Sequence, residues 1–267
     1  FNAKELDAET GLYYYGARYY SPEVSIWLSV DPQAHRYPSL SPYSAMANNP
    51  IYYIDPDGRD IVIPSSLKGS ERRAIMRNLR KLTDDKLSYD KSSGQVTVRK
   101  QGAGNKTSGT QLVNNLISSS KTTTIIVGAE GSGNSATADS RTSTGLVDWT
   151  NATNGTGDNA TVSFDPTANP DIPTVNPKTG NVSGKKRPNQ IGLGHELIHA
   201  DHINNGDVDF TPSTHTYNDA NGNPTTQTVI TEELRTVGLQ GVKPRDVTEN
   251  DLRREQRRTR KKQRGAY

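Results

Sequence analysis

The sequence predicts a mixed α+β chain, and three observations carry the prediction. Apolar residues recur at helical spacing within residues 70–82, 110–119 and 191–203. They alternate, or run unbroken, within 87–99, 122–127 and 160–164, as strands require. Only 31% of the 267 residues are hydrophobic and 6% aromatic, too few for one large core, so loops fill much of the chain. This length fits one or two domains. No segment approaches the roughly 18–20 apolar residues of a membrane span. The absence of Cys removes disulfides, thiolate catalysis and Cys-ligated zinc, which leaves His, Asp and Glu to hold any metal. Phe1 has no Met before it and no charged-then-apolar leader after it, which predicts a piece of a longer polypeptide.

In chain order, residues 1–58 hold Tyr13, Tyr14, Tyr15, Tyr19, Tyr20, Tyr37, Tyr43, Tyr52 and Tyr53 among Gly, Pro and Asn, and read as short strands and turns with aromatic anchors. The turn sequence Asp55-Pro56-Asp57-Gly58 marks a boundary, dividing the chain into 1–58 and 59–267. Residues 70–82 (SERRAIMRNLRKL) place Ala74, Ile75, Leu79 and Leu82 on one helical face, with Ser70 as the expected N-cap. Ser93-Gly94 splits 87–99 into a hairpin, 110–119 is a second helix, and 122–127 a buried strand. Residues 128–157, dominated by Gly, Ser, Thr, Asn and Ala, gain little from burial and are expected to be loop. Residues 160–164 (ATVSF) alternate and stop at Asp165-Pro166, a strand and a turn.

The chemistry lies in GLGHELIHADHINNG, 192–206. His195, Glu196 and His199 form H-E-x-x-H on an apolar helix; at about 100° per residue the two imidazoles lie one turn apart on one face and reach a single ion. Zinc suits them, and Glu196 stands where it can take a proton from a water whose pKa the ion lowers to about 7. A catalytic zinc takes three protein ligands. His202 lies about 10 Å along the helix from His195, too far for the same ion. Asn205 stands where the metzincin pattern needs His. The remaining donors are downstream in TVITEELRTVGL, 228–239, a helix with Thr231 as expected N-cap and adjacent carboxylates Glu232 and Glu233 in its first turn. These point about 100° apart, so one faces the metal; periodicity does not choose between them.

HELIHADH at 195–202 followed by EELRTVGL at 232–239 resembles the clostridial neurotoxin light chains, which are zinc endopeptidases. With the closing VTENDLRREQRRTRKKQRGAY, 247–267, the chain resembles still more the NleD-like effector metallopeptidases that bacteria deliver into other cells. The resemblance implies a zincin-like α+β metallopeptidase domain with a small mixed sheet, a zinc held by His195, His199 and Glu233, Glu232 behind them, and Glu196 as general base. It also implies that Arg264 and Tyr267, an Arg-x-x-Tyr pair, stabilise the oxyanion. The alternative for this tail is a solvated basic helix capped by Thr248 and Asp251. FNAKELDAETGLYYYGARYYSPEVSIWLSVDP and YPSLSPYSAMANNPIYYIDPDGRD resemble the end of an Rhs/YD-repeat core, a β-rich plug before a variable toxin. Many such cores cleave themselves at paired D-P-x-G motifs. Here the motif at Asp55 is intact and the one at Asp31 lacks its Gly, so both aspartates also read as turn residues.

Together these imply a secreted polymorphic toxin delivered into a target cell, with an endopeptidase that cleaves a protein there. The Rhs shell of the same polypeptide and a cognate immunity protein are its expected partners. A second reading starts from charge. Net charge is +3, yet residues 243–267 carry ten Lys/Arg against four Asp/Glu, a tail that attracts nucleic acid or an anionic surface. No aromatic residues interleave with these cations before Tyr267.

Overall fold

A computed structural model of the chain describes residues 6–7, 10–14, 19–29, 41, 43, 61–257, 259 and 262–267. The motifs at Asp31 and Asp55, and the turn expected at 55–58, lie outside the described residues. Chain contacts divide the molecule into two units, Phe1–Arg59 with Ser118–Ser120, and Asp60–Ile117 with Lys121–Tyr267.

In the first unit, β1 (Leu6–Asp7), β2 (Leu12–Tyr14), β3 (Tyr19–Ser21) and β4 (Ile26–Trp27) form an antiparallel meander in chain order. Tyr20 and Trp27 are cross-strand partners, both buried, with rings edge to face at 5.6 Å. Two aromatic rings meeting across a strand pair supply the anchoring that such short strands need.

The second unit begins with β5 (Ile61–Val62), α1 (Gly69–Leu82), β6 (Lys86–Tyr89), β7 (Gln95–Lys100), α2 (Thr107–Ser118), β8 (Thr123–Val127), β9 (Ser135–Ala138), α3 (Thr150–Thr153) and β10 (Ala160–Phe164). Six of these strands form one mixed sheet in the order β6-β7-β5-β8-β10-β9, in which β5, β8 and β10 run parallel and β7 and β9 antiparallel to their neighbours. The expected helices, the hairpin at Ser93-Gly94 and the strand at 160–164 are all present. Ser70 is not the N-cap of α1. Lys68 is, and its N–H donates to Glu71 at 2.8 Å, because a glutamate three residues on can reach back to the cap.

Residues 128–157 are not all loop: β9 arises there as an edge strand paired with β10, its small side chains leaving Ala138 buried. The chain continues through the hairpin β11 (Asp171–Val175) and β12 (Val182–Lys186) to α4 (Asn189–Asn205). Beyond it lie the hairpin β13 (Pro212–Asn218) and β14 (Pro224–Ile230), then α5 (Thr231–Val237) and α6 (Glu249–Glu255).

Helix α4 is the centre of this unit. It packs against α1 and α6 and against β9 and β10, and its Ile191, Leu193, Leu197, Ile198 and Ile203 are all buried. Its His195, Glu196, Asp201 and His202 are buried as well, so the helix is enclosed by other elements on nearly every side. Each fully buried Leu or Ile contributes about 1.5–3 kcal/mol, so the core fixes the helix that carries the two histidines. Gly206 ends it: at φ 73° it takes the left-handed turn, and its N–H closes on His202 and Ile203 carbonyls.

Candidate metal centre

His195 and His199 project from one face of α4, as their spacing requires, and their Nε2 atoms lie 3.2 Å apart. Glu233, from the first turn of α5, brings Oε2 to 3.5 Å from His195 Nε2 and 3.2 Å from His199 Nε2. This carboxylate oxygen is buried and has no hydrogen-bond donor among the described residues. Three donor atoms, two nitrogens and one oxygen, thus converge on a common point; these residues fit a tetrahedral divalent ion with one position left for water.

Each imidazole is oriented from behind. His195 Nδ1 bonds Glu249 Oε2 at 2.9 Å, and His199 Nδ1 bonds Glu232 Oε1 at 2.9 Å. With both Nδ1 atoms bonded to carboxylates, both Nε2 atoms face the cluster. The adjacency of Glu232 and Glu233 is resolved by the α-helical turn: Glu233 faces the imidazoles' front, Glu232 their back. Glu232 Oε1 also accepts from His202 Nδ1 at 2.6 Å. His202 therefore stands outside the three-residue cluster, as its distance along the helix requires, and fixes Glu232 instead.

Glu249 is fully buried and takes Arg253 Nε at 2.6 Å and Arg264 Nη1 at 3.1 Å in addition to His195. Burial alone would raise its pKa; the hydrogen bond to His195 and the positive charges around it prevail, holding it well below the ordinary carboxylate value. Glu232 is likewise held low, against burial, by its hydrogen bonds to His199 and His202, and Glu233 by the two histidines beside it. For His199 burial acts downward, but the hydrogen bond to Glu232 and the negative charge of Glu233 beside it push it up to about 10.

Thr231 is not the N-cap of α5. Ile230 occupies that position, while the Thr231 hydroxyl donates to the Thr211 carbonyl at 2.9 Å and ties the helix start to the residue that precedes β13. At α6 the box of Thr248 and Asp251 forms as expected, with Asp251 N–H on Thr248 Oγ1 at 3.2 Å and Thr248 N–H on Asp251 at 3.0 Å. The tail beyond is not a solvated basic helix, however. The helix stops at Glu255, and Arg264 is buried, paired with Thr174 in a β-bridge. Of the ten tail cations, Lys243, Arg253, Arg254 and Arg264 are spent on Asp207, Glu249, Asp251 and Glu249. Pairing by acidic neighbours is what the charge count could not show.

The cluster opens into a cleft of about 280 Å³ lined by Glu196 and Tyr267, by Asn134, Ser135 and Ala136 at the start of β9, and by an apolar wall. In that wall Trp149 and Phe210 meet edge to face at 5.0 Å. The Tyr267 ring stacks near His195, with centroids 6.2 Å apart. Burial, the Glu233 charge and a hydrogen bond to Glu233 push its phenol up, keeping it a protonated donor. Arg264 lies over the other residue of the pair, 4.5 Å from the Tyr267 ring centroid, and its Nε donates to the Ala266 carbonyl at 3.0 Å. Its guanidinium thus reaches the cleft through Tyr267 and Glu249. Glu249, Asn134 and the Trp149–Phe210 pair carry no helical or metal-ligand spacing in the sequence.

Short regions of the chain are similar to much larger proteins. Toxin subunit YenC2 of Yersinia entomophaga is 52% identical over 58 residues, 22% of this chain and 6% of its own length. Toxin subunit YenC1 of the same organism is 43% identical over 84 residues, 26% of this chain and 8% of its own. The tRNA nuclease WapA of Bacillus subtilis (strain 168) is 46% identical over 57 residues, 20% of this chain and 2% of its own. The chain therefore spans less than a tenth of the length of each. Residues 100–264, which include all of the cluster and its buried braces, match Peptidase_M91, described as effector protein. With more than half of its length inside that match, the chain belongs to the Peptidase_M91 family of effector proteins.

Proposed function

We propose that this chain is the C-terminal part of a delivered toxin whose domain 59–267 is a zincin-like zinc endopeptidase that cleaves a protein of the target cell. One observation carries the reading: His195, His199 and Glu233 converge in a cleft that also holds Glu196 and Tyr267. The family of effector proteins to which the chain belongs supports it.

His195 and His199 through Nε2 and Glu233 through Oε2 would hold the ion. Bound there, Zn²⁺ supplies Lewis acidity, lowering the pKa of water to about 7 and drawing charge from the substrate carbonyl. Glu196 accepts the proton of the attacking water at its carboxylate. The water oxygen bonds to the scissile carbonyl carbon, the C–N bond breaks, and Glu196 returns the proton to the departing amine. Tyr267 donates from Oη to the developing oxyanion, and Arg264 holds the phenol in place and balances the charge around Glu249. An extended substrate is offered β9, the edge strand of the sheet, and sets an apolar side chain against Trp149 and Phe210.

Residues 1–58 are the segment we assign to an Rhs core, in keeping with the similarity to the YenC toxin subunits and the nuclease WapA. A shell from the same polypeptide and a cognate immunity protein are then its partners before release. The test is Glu196→Gln: it should retain about one zinc per chain and lose peptide hydrolysis by at least about 10³-fold, measured on a proteome-derived peptide library. Retained hydrolysis would overturn the mechanism.

A further inference from the structure

We propose that the β13–β14 hairpin is a positioning clamp for Tyr267, acting through the cross-strand pair His215 and Gln227. The inference rests on the peptidase reading above, in which Tyr267 donates to the oxyanion.

His215 and Gln227 are direct partners in the antiparallel register, so both side chains leave the same face of the hairpin. His215 Nε2 donates to the Gly265 carbonyl at 2.9 Å. The Gln227 amide, oriented so that both its groups are satisfied, accepts the Tyr267 N–H at 2.7 Å and donates to the Tyr267 carbonyl at 2.9 Å. Three hydrogen bonds from two adjacent side chains thus grip the backbone on either side of the Tyr267 phenol's origin.

From the opposite side the same segment is held as a strand by β11: Val175 N–H donates to the Gln263 carbonyl at 2.8 Å, and Gly265 N–H to the Pro173 carbonyl at 3.2 Å. A Cβ at Gly265 would come within 2.4 Å of Val175 Cγ2, so only glycine lets the segment lie this close. The hairpin is also tied to the helix that carries Glu233. Gln240, just beyond α5, donates to the Thr214 carbonyl and accepts from Ser213 Oγ, each at 3.1 Å.

The composition of the hairpin explains why its role is positional. Its outward face is Thr214, Thr216, Thr226 and Thr228, and its inward face is Ser213, His215, Tyr217, Thr225 and Gln227, with only Val229 and Ile230 apolar at its end. Such a ribbon buries little apolar surface; what its inner face provides is directed hydrogen bonds to a backbone whose other edge is paired with β11.

The experiment compares wild type, Gln227→Leu, His215→Leu, Tyr267→Phe and the double variant Gln227→Leu/Tyr267→Phe, each as the full chain loaded with zinc. The substrate is a fluorogenic peptide drawn from a proteome-derived library. Gln227→Leu should lower kcat by about 10- to 100-fold with KM and zinc content unchanged, and the double variant should fall no further than Tyr267→Phe alone. Hydrogen exchange should accelerate in the peptide covering 263–267 and stay constant in α4, which also shows that the variant is folded. Wild-type kcat in Gln227→Leu, additive losses in the double variant, or unchanged exchange at 263–267 would each overturn the clamp and leave the peptidase reading standing. A zinc-loaded wild type that hydrolyses no peptide would overturn the peptidase reading and the clamp with it.

Discussion

The two histidines of α4 sit one turn apart and face the same point, yet they are braced by different parts of the chain in different ways. His199 is held by Glu232, which shares its Oε1 with His202, so this brace is built from two elements joined by a short hairpin. His195 is held by Glu249 of α6, and Glu249 is in turn neutralised by Arg253 and Arg264 from the closing segment. One brace is an imidazole–carboxylate–imidazole chain; the other is a fully buried carboxylate between two guanidinium groups. The orientation of His195 therefore depends on the docked tail, whereas that of His199 does not.

Substitution at the two carboxylates should separate them. Glu249→Ala leaves Arg253 and Arg264 buried with no counter-charge and is expected to cost about 3–5 kcal/mol of stability, measured by denaturant unfolding. A change below about 1 kcal/mol would mean that the tail is not held through Glu249. Glu232→Gln keeps a hydrogen-bond acceptor for one imidazole and should weaken zinc binding by about 10- to 100-fold while leaving the fold intact, read by competition with a chromophoric chelator. Equal stability losses in the two variants would erase the distinction drawn here.

The smallest effect concerns acid. Next to the His199 brace, Arg235 is buried between Asp207 and Asp246, with contacts of 2.8 and 2.7 Å. Burial opposes their ionisation, but hydrogen bonds to Arg235, with Lys243 also on Asp207, hold both carboxylates below their ordinary value. A carboxylate with a depressed folded pKa contributes stability above its unfolded pKa of about 3.9 and loses it as pH falls through the folded value. Acid unfolding of the metal-free chain below about pH 4 should therefore be shallower in Asp246→Asn than in wild type. Identical acid transitions would remove the Arg235 network from the pH dependence.

How much of this was legible in the sequence followed physical lines. Helix α4, the two imidazoles that share one face and the distance that sets His202 apart all follow from the 3.6-residue period, because a helix places side chains by local geometry alone. The choice of Glu233 over Glu232 did not follow from it, since two adjacent positions on a helix are distinguished only by what packs around them. Glu249 was hidden because its partner lies 54 residues away in sequence, beyond any periodic signal. The edge strand β9 was missed in a Gly-, Ser- and Ala-rich stretch because its pairing with β10, rather than burial of large side chains, makes it a strand. The basic tail read as solvated because composition counts charges without showing that four of them meet carboxylates.

The most direct test of the central claim is zinc content by elemental analysis in wild type, His199→Ala, Glu233→Ala and Glu232→Ala, after equilibration with a limiting chelator. The expected result is about one zinc per chain in wild type, none in His199→Ala and Glu233→Ala, and a partial, chelator-sensitive load in Glu232→Ala. Undiminished zinc in Glu233→Ala, or none in wild type after loading, would contradict it.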